Sequence, residues 1–399
     1  MSSEAELYRD IAKRLQKIRE LSYLGKLINT QVPYVKIIDS GDDGFFYNEW
    51  SLLKLIFLHQ YVPLYTSIIR KRFCEINYID LFAGSGLNVL KVNRDIVLPG
   101  SPIIALAFAR RSFTHAYFVD INSNKIKLLK KRVSALKVLS RNHEYRDVIF
   151  SDVSLLKDKY YIGDANSKID QILSDIEERH DRLLSKYRRG CHNLIFIDPF
   201  GLTFTMKSLV RILDSRVRSD IILFVNTYAA FLQISRYLKE GKSSNALDNF
   251  LGHGWKQDFE LYLDKLNRQP NIKDIVTFIR FYIKKVFSMY EYETVIIELP
   301  LKLKEKHFDL IFGSHRTSRG NPFLKAIYYL KHFIEDTDYA LLHQIADAIA
   351  NNRDKITIID HLLRDDVRKR IISSYSTALR YGVKKKKIEG ISTLDRFFG

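Results

Sequence analysis

The sequence predicts an α/β protein: a mainly parallel sheet covered by helices on both faces. Three observations lead there. Short apolar runs recur from about residue 75, reading INYIDLF, HAYFVDI, KYYIGDA, HNLIFIDPF, SDIILFVN, ETVIIEL and HFDLIFGS. Between most of them lie segments of helical periodicity, at 101–111, 123–139, 167–187 and 205–215. Four of the runs end in an acid: Asp80, Asp120, Asp164 and Asp198. Buried strands that alternate with helices assemble into a parallel sheet, because each crossover helix must cover one sheet face.

Residues 1–44 form a helical extension that opens with MSSEAELYRDIAKRLQKIRE and passes through the turn-rich DSGDDG. A domain at 45–335 begins with apolar residues at helical spacing from Glu49 to Arg72, a pattern expected to break at Pro63. Residues 140–158 read as a polar insertion, and about 228–290 as a helical insertion with a turn at FLGHGW. A charged helical region at 336–383 precedes a basic tether and tail at 384–399. No internal repeat is present.

Composition narrows the function classes. Lys+Arg 64 against Asp+Glu 46 leaves a net charge of +18 and a pI near 9.6, which implies a polyanionic partner such as nucleic acid. Cys74 and Cys191 are the two cysteines, too few for a disulfide framework or a four-thiolate zinc site. His59, His115, His192, His253 and His315 are scattered without ligand spacing, so no metal is expected. The N-terminus does not read as a signal peptide, and the apolar IILFVNTYAAFL is too short to cross a bilayer. No membrane partner is expected, and a cytoplasmic, nucleoid-associated location is. Few Gly, Pro, Cys and Met residues, with many Lys, Ile and Tyr, fit a thermophile.

YIDLFAGSGLN places Asp80 at a strand end, then a turn of small residues with Ala83, Gly84 and Gly86, then an expected helix. Glycines let a backbone approach a ligand closely. No Gly-Lys-Ser/Thr comes after it, so this is no P-loop, and A-G-S-G is not a dinucleotide fingerprint. Asp120 at the next strand end suits the two hydroxyls of a ribose. Asp164 and Asp198 end two further strands. Some of these acids can be helix N-caps. A nucleoside bearing positive charge fits all four, and S-adenosylmethionine has that character.

DLFAGSG, GSPIIALAFA, VDIN, GDANSKIDQIL and FIDPFGLTF together resemble the three-Cys-motif partner (TcmP) methyltransferases over roughly residues 45–330. The resemblance implies a Rossmann-like class I methyltransferase fold with S-adenosyl-L-methionine as cofactor. It implies Asp80, Ala83, Gly84 and Gly86 as cofactor loop, Asp120 as ribose acid and Asp164 as an adenine-side contact.

DPFG after the fourth strand resembles the D-P-P-Y/F motif of amino-methylating DNA enzymes and the D-P-F-G of tRNA guanine-N2 methyltransferases. An exocyclic amino group is a poor nucleophile because its lone pair is delocalised. Asp198 and a carbonyl of Pro199 or Phe200 can accept its N–H bonds and aim the lone pair at the methyl group. Phe200 can stack on an extruded base, although this motif lacks the second proline and its aromatic comes one residue early. Cys191 precedes the strand, which excludes a cysteine-nucleophile mechanism. Asn226, at the end of SDIILFVN, is either a substrate contact on the same rim or a helix cap. Trp50 and Trp255 read as core or lid residues.

The tail STLDRFFG resembles the box that binds the sliding clamp (PCNA), with Leu394, Phe397 and Phe398 at its apolar positions and Ile391 where Gln is usual. The Lys384–Lys387 run reads as a solvated tether. The expected function is a DNA amino-methyltransferase recruited by the clamp in replication or repair. An RNA N-methyltransferase and a non-catalytic, clamp-recruited nucleic-acid-binding factor are the alternatives.

Overall fold

The computed structural model describes residues 17 and 19–33, short strands at 36–37, 41–42 and 46–47, then 51–90, 97–266, 268–299, 308–316 and 322–335. Trp50, the region 336–383 and the tail with Leu394, Phe397 and Phe398 lie outside the described residues.

The central sheet holds β1 (Glu75–Asp80), β2 (His115–Asp120), β3 (Lys157–Ile162), β4 (Cys191–Ile197), β5 (Ser219–Val225), β6 (Tyr292–Glu298) and β7 (Asp309–His315). Their order is β6-β7-β5-β4-β1-β2-β3. The pairings from β3 across to β5 are parallel, and β7 runs antiparallel between β5 and β6. This is a doubly wound, Rossmann-like α/β sheet with one antiparallel strand inserted near its edge. All seven expected apolar runs became its strands, and β1, β4 and β5 are buried almost throughout, as strands covered on both faces must be.

One face carries α1 (19–31), α2 (Ser51–Ile69), α3 (Ser101–Ala107), α4 (Ser123–Leu139) and α11 (Pro322–Glu335) over one apolar cluster. The other carries α5 (Ala165–Tyr187), α6 (Met206–Leu213), α7 (Thr227–Glu240), α8 (Asn245–Leu251), α9 (Trp255–Asp264) and α10 (Ile272–Met289) over a second cluster. Trp255 lies in that second core, its indole N–H donating to Asp248 Oδ1 at 2.8 Å.

Two expectations fail for physical reasons. The helix does not break at Pro63, because α2 runs unbroken from Ser51 to Ile69. It is buried nearly all round, and packing on that scale outweighs one missing N–H and a ring clash. Its Leu52–Ile69 window, mean hydropathy 1.3, is long and apolar enough to cross a membrane, but 78% of it is buried inside the protein. Nor does the turn after Asp80 lead into a helix. It enters a strand at Leu87–Leu90, which pairs antiparallel with Val97–Pro99 and parallel with Phe46–Tyr47. The helix waits until Ser101, where Pro102 fits its first turn.

Beneath α2 the apolar core encloses a small polar cluster. Tyr61 and Ser314 hydroxyls donate to the two oxygens of Asp220 at 2.6 and 2.5 Å, and Tyr65 meets His192 at 3.0 Å. Burial pushes the Asp220 carboxyl up to about 6.

Candidate cofactor and substrate site

The carboxyl ends of β2, β1, β4 and β5 lie side by side and form one rim. In an open sheet of this kind, ligands bind outside that rim, where the strand order reverses. The reversal falls between β1 and β4, whose last residues lead into the AGSG and DPFG turns.

The turn after β1 is stitched down on both sides. Leu81 N–H donates to the Phe196 carbonyl at 3.1 Å, and Ala83 N–H to that of Val119 at 2.8 Å. Arg132 of α4, wholly buried, donates to the Ser85 carbonyl at 3.0 Å and to that of Pro33 at 2.9 Å. The two glycines serve different needs. Gly86 has φ +85°, and a Cβ there would stand 2.8 Å from Leu129. Gly84 has φ +61°, and a Cβ there would meet nothing within 4 Å, so the backbone faces open space on the rim.

The four acids divide. Asp80 is fully buried: Tyr78 donates to its Oδ2 at 2.8 Å and Phe82 N–H to its Oδ1 at 3.3 Å. Burial raises its pKa to about 7, the Ser101 and Tyr78 hydroxyls and the Phe82 N–H oppose that rise, and nearby Asp198 adds to it. Asp80 therefore holds the turn from below. Asp120 reaches the rim itself. Its Oδ2 accepts the Gly84 N–H at 3.0 Å and its Oδ1 the Asn122 N–H at 2.8 Å. Asp120 is only partly buried, and the exposed Ile121 beside it, at 77%, offers an apolar surface next to the carboxylate. Asp164 stands exposed at the N-cap position of α5 without a capping bond, its Oδ1 accepting from Asn166 at 3.1 Å.

Asp198 sits at the end of β4 and is not alone. Lys54 Nζ of α2 donates to both its oxygens, at 2.8 and 2.7 Å. The lysine side chain is 9% exposed and the aspartate 19%. The ammonium also lies 4.9 Å from the centre of the Phe224 ring, a cation–π distance. Phe200 is 73% exposed just beyond, and Gly201 turns the chain with φ +66°. Asn166 clamps the segment from that turn into α6. Its amide donates to the Thr203 carbonyl at 2.9 Å, and its Oδ1 accepts the Thr205 N–H at 2.9 Å and the Ser208 hydroxyl at 2.8 Å. Asn226 caps α7, its Oδ1 accepting the Ala229 N–H at 2.9 Å. Cys191 opens β4 at its other end, about 20 Å along the strand from Asp198, and burial pushes its thiol up to about 12.

Lys54, Ser101, Ile121 and Asn166 were not singled out from the sequence. A signal existed for one of them: Lys54 is the lone Lys, Arg, Asp or Glu between Ser51 and Ile69.

No known protein-family profile and no curated protein matches the chain. Among solved structures it is similar to Trm1 from Pyrococcus horikoshii in complex with S-adenosyl-L-methionine, at 13% identity over 71% of this chain, with a TM-score of 0.36. The match spans 59% of the Trm1 chain. It is also similar to the O-methyltransferase TomG from Streptomyces achromogenes, solved with SAM, at 10% identity over 75% of this chain and 90% of TomG, with a TM-score of 0.35. An O-methyltransferase from Bacillus cereus, solved with SAH, matches at 10% identity over 75% of this chain and all of its own, with a TM-score of 0.33.

Proposed function

We propose that the chain is an S-adenosylmethionine-dependent methyltransferase that modifies an exocyclic amino group of a nucleic-acid base, with DNA as substrate. The observation that carries the reading is the pairing of two carboxylates on one rim. Asp120 sits beside the open Gly84 turn, and Asp198 ends β4 two strands away. Strand spacing separates these ends by about 10 Å, room for a ribose at one and a reacting group at the other.

The residues present fit the cofactor. Asp120 keeps acceptor capacity beyond its two backbone bonds, which suits ribose hydroxyls. The open space at Gly84 admits the nucleoside, and Ile121 supplies an apolar surface for an adenine. When bound, the cofactor supplies an electrophilic methyl group on a sulfonium. Asp198 then accepts an N–H of the substrate amino group and fixes the direction of its lone pair. Phe200 stands ready as a stacking surface. As the new C–N bond forms and the C–S bond breaks, one amino proton leaves.

A basic surface supports the nucleic-acid partner. From Ile121 to His143 there is no acidic residue, and Lys127, Lys130, Lys131 and Arg141 are exposed along and just beyond α4. This stripe starts at the Asp120 rim. The tail STLDRFFG favours DNA, since a clamp ligand works there.

The test is transfer of labelled methyl to duplex DNA and to tRNA, with and without the sliding clamp of the same organism. We expect N-methylated DNA bases, a loss of about a hundredfold or more for Asp198→Ala, and clamp stimulation that disappears in the Phe397→Ala, Phe398→Ala double variant. Methylation of tRNA alone overturns the DNA assignment. A methylated carbon overturns the amino-group chemistry, and equal stimulation of the double variant overturns the clamp role.

A further inference from the structure

A lysine paired inside α2, a helix buried nearly all round, needs a reason. Removing an ammonium from water costs several kcal/mol, and a single ion pair seldom offsets that with stability to spare. The neighbours of Lys54, namely Leu52, Leu53, Leu55 and Ile56, are all buried apolar residues. Yet the side chain crosses from α2 to the rim and grips both oxygens of Asp198.

We propose that Lys54 is the positioning residue of the transfer site: it holds the Asp198 carboxylate in the one orientation that presents it to the substrate amino group. The inference rests on the reading of Asp198 given above and deepens it. An aspartate at a strand end has two side-chain torsions to fix. Two charge-assisted bonds from one buried ammonium fix both, and α2 fixes the ammonium in turn. The Phe224 face, itself packed on Phe196 at 5.4 Å, backs the ammonium from β5. The pairing also decides what Asp198 does chemically. With both oxygens already accepting from the ammonium, the carboxylate is held to orient the amino group through its remaining lone pairs, and the departing proton goes to water. The substrate class suited to such a site is a neutral amino group needing alignment. A hydroxyl, which must lose its proton to attack, finds no unpaired base in Asp198.

The experiment is a double-mutant cycle on the full chain, with Lys54→Met and Asp198→Asn alone and together. The readouts are kcat and KM for methyl transfer to DNA and tRNA, and calorimetric affinity for S-adenosylhomocysteine. Methionine suits the apolar surroundings of position 54, and the partly exposed Asp198 can hydrate, so the variant keeps a foldable core. We expect Lys54→Met to lose about ten- to a hundredfold in kcat, with KM and product affinity changed less than about threefold. Lys54→Arg should recover part of the loss, and Lys54→Met should cost nothing further on the Asp198→Asn background. Full activity of Lys54→Met beside an inactive Asp198→Asn overturns the role of Lys54 alone, as do additive losses. Full activity of Asp198→Asn, or no transfer to DNA or tRNA by the wild type, overturns the underlying reading and this role with it.

Discussion

Asp80, Asp120 and Asp198 look alike in the sequence, each a strand-end acid before a turn, and burial gives them different work. Asp80 is fully buried among three hydroxyl or amide donors, so it anchors its turn. Asp120 meets solvent and two backbone N–H groups, and Asp198 meets an ammonium. The rim they share was legible from strand periodicity alone. Their division was not, because Ser101 and Lys54 come from places that no spacing rule connects to them, although Tyr78 shares a strand face with Asp80 two residues on. Asp220 makes the same point in the core, where its partners Tyr61 and Ser314 lie far off in the chain. Its folded pKa of about 6 lies above the ordinary carboxylate value, so the folded state holds the proton more tightly. That contribution to stability is full below about pH 4 and is lost as pH rises through 6, amounting to about 3 kcal/mol at most. Asp220→Asn carries no such proton. Denaturant titrations should show the variant gaining on the wild type between pH 4 and 7, and parallel curves at both pH values would contradict the assignment.

Helices and strands were read correctly where one period dominated, as in the seven strands and α4. The two misreadings share a cause: local signals lost to tertiary packing. Pro63 is a helix breaker by chemistry, yet α2 is embedded in side chains on nearly every side. The turn after Asp80 reads like the start of a helix, yet Leu87–Leu90 has β partners on two sides, at Phe46–Tyr47 and Val97–Pro99. On α4 the apolar stripe with Ile126, Leu129, Val133 and Leu136 faces the core, which turns Lys127, Lys130 and Lys131 outward. If this stripe tracks a phosphate backbone, replacing the three lysines with alanine weakens DNA binding without regard to sequence. The slope of log K against log salt should flatten by about 2 to 3, near 0.9 per lost phosphate contact. Fluorescence anisotropy with a labelled duplex measures it, and an unchanged slope would remove α4 from the interface.

The described residues form a sheet between two helical layers, with the carboxyl ends of its parallel strands along one edge. Its parallel strands put the turns that carry Asp80, Asp120, Asp164 and Asp198 on the same side, which is why a linear reading could group these acids without any distance. What the linear reading lacked was the reach of α2, a helix expected from its spacing: it precedes the sheet in the chain and delivers the Lys54 ammonium to Asp198 at the end of β4. The proposed function requires first that the rim between Gly84 and Asp120 receive S-adenosylmethionine. Calorimetric titration of the full-length protein with S-adenosylhomocysteine tests that most directly. Saturable one-to-one binding is expected for the wild type, weakened by about 1–3 kcal/mol in Asp120→Ala, with the thermal unfolding of the free protein unaltered by the substitution. No binding by the wild type, or equal affinity in Asp120→Ala, would contradict it.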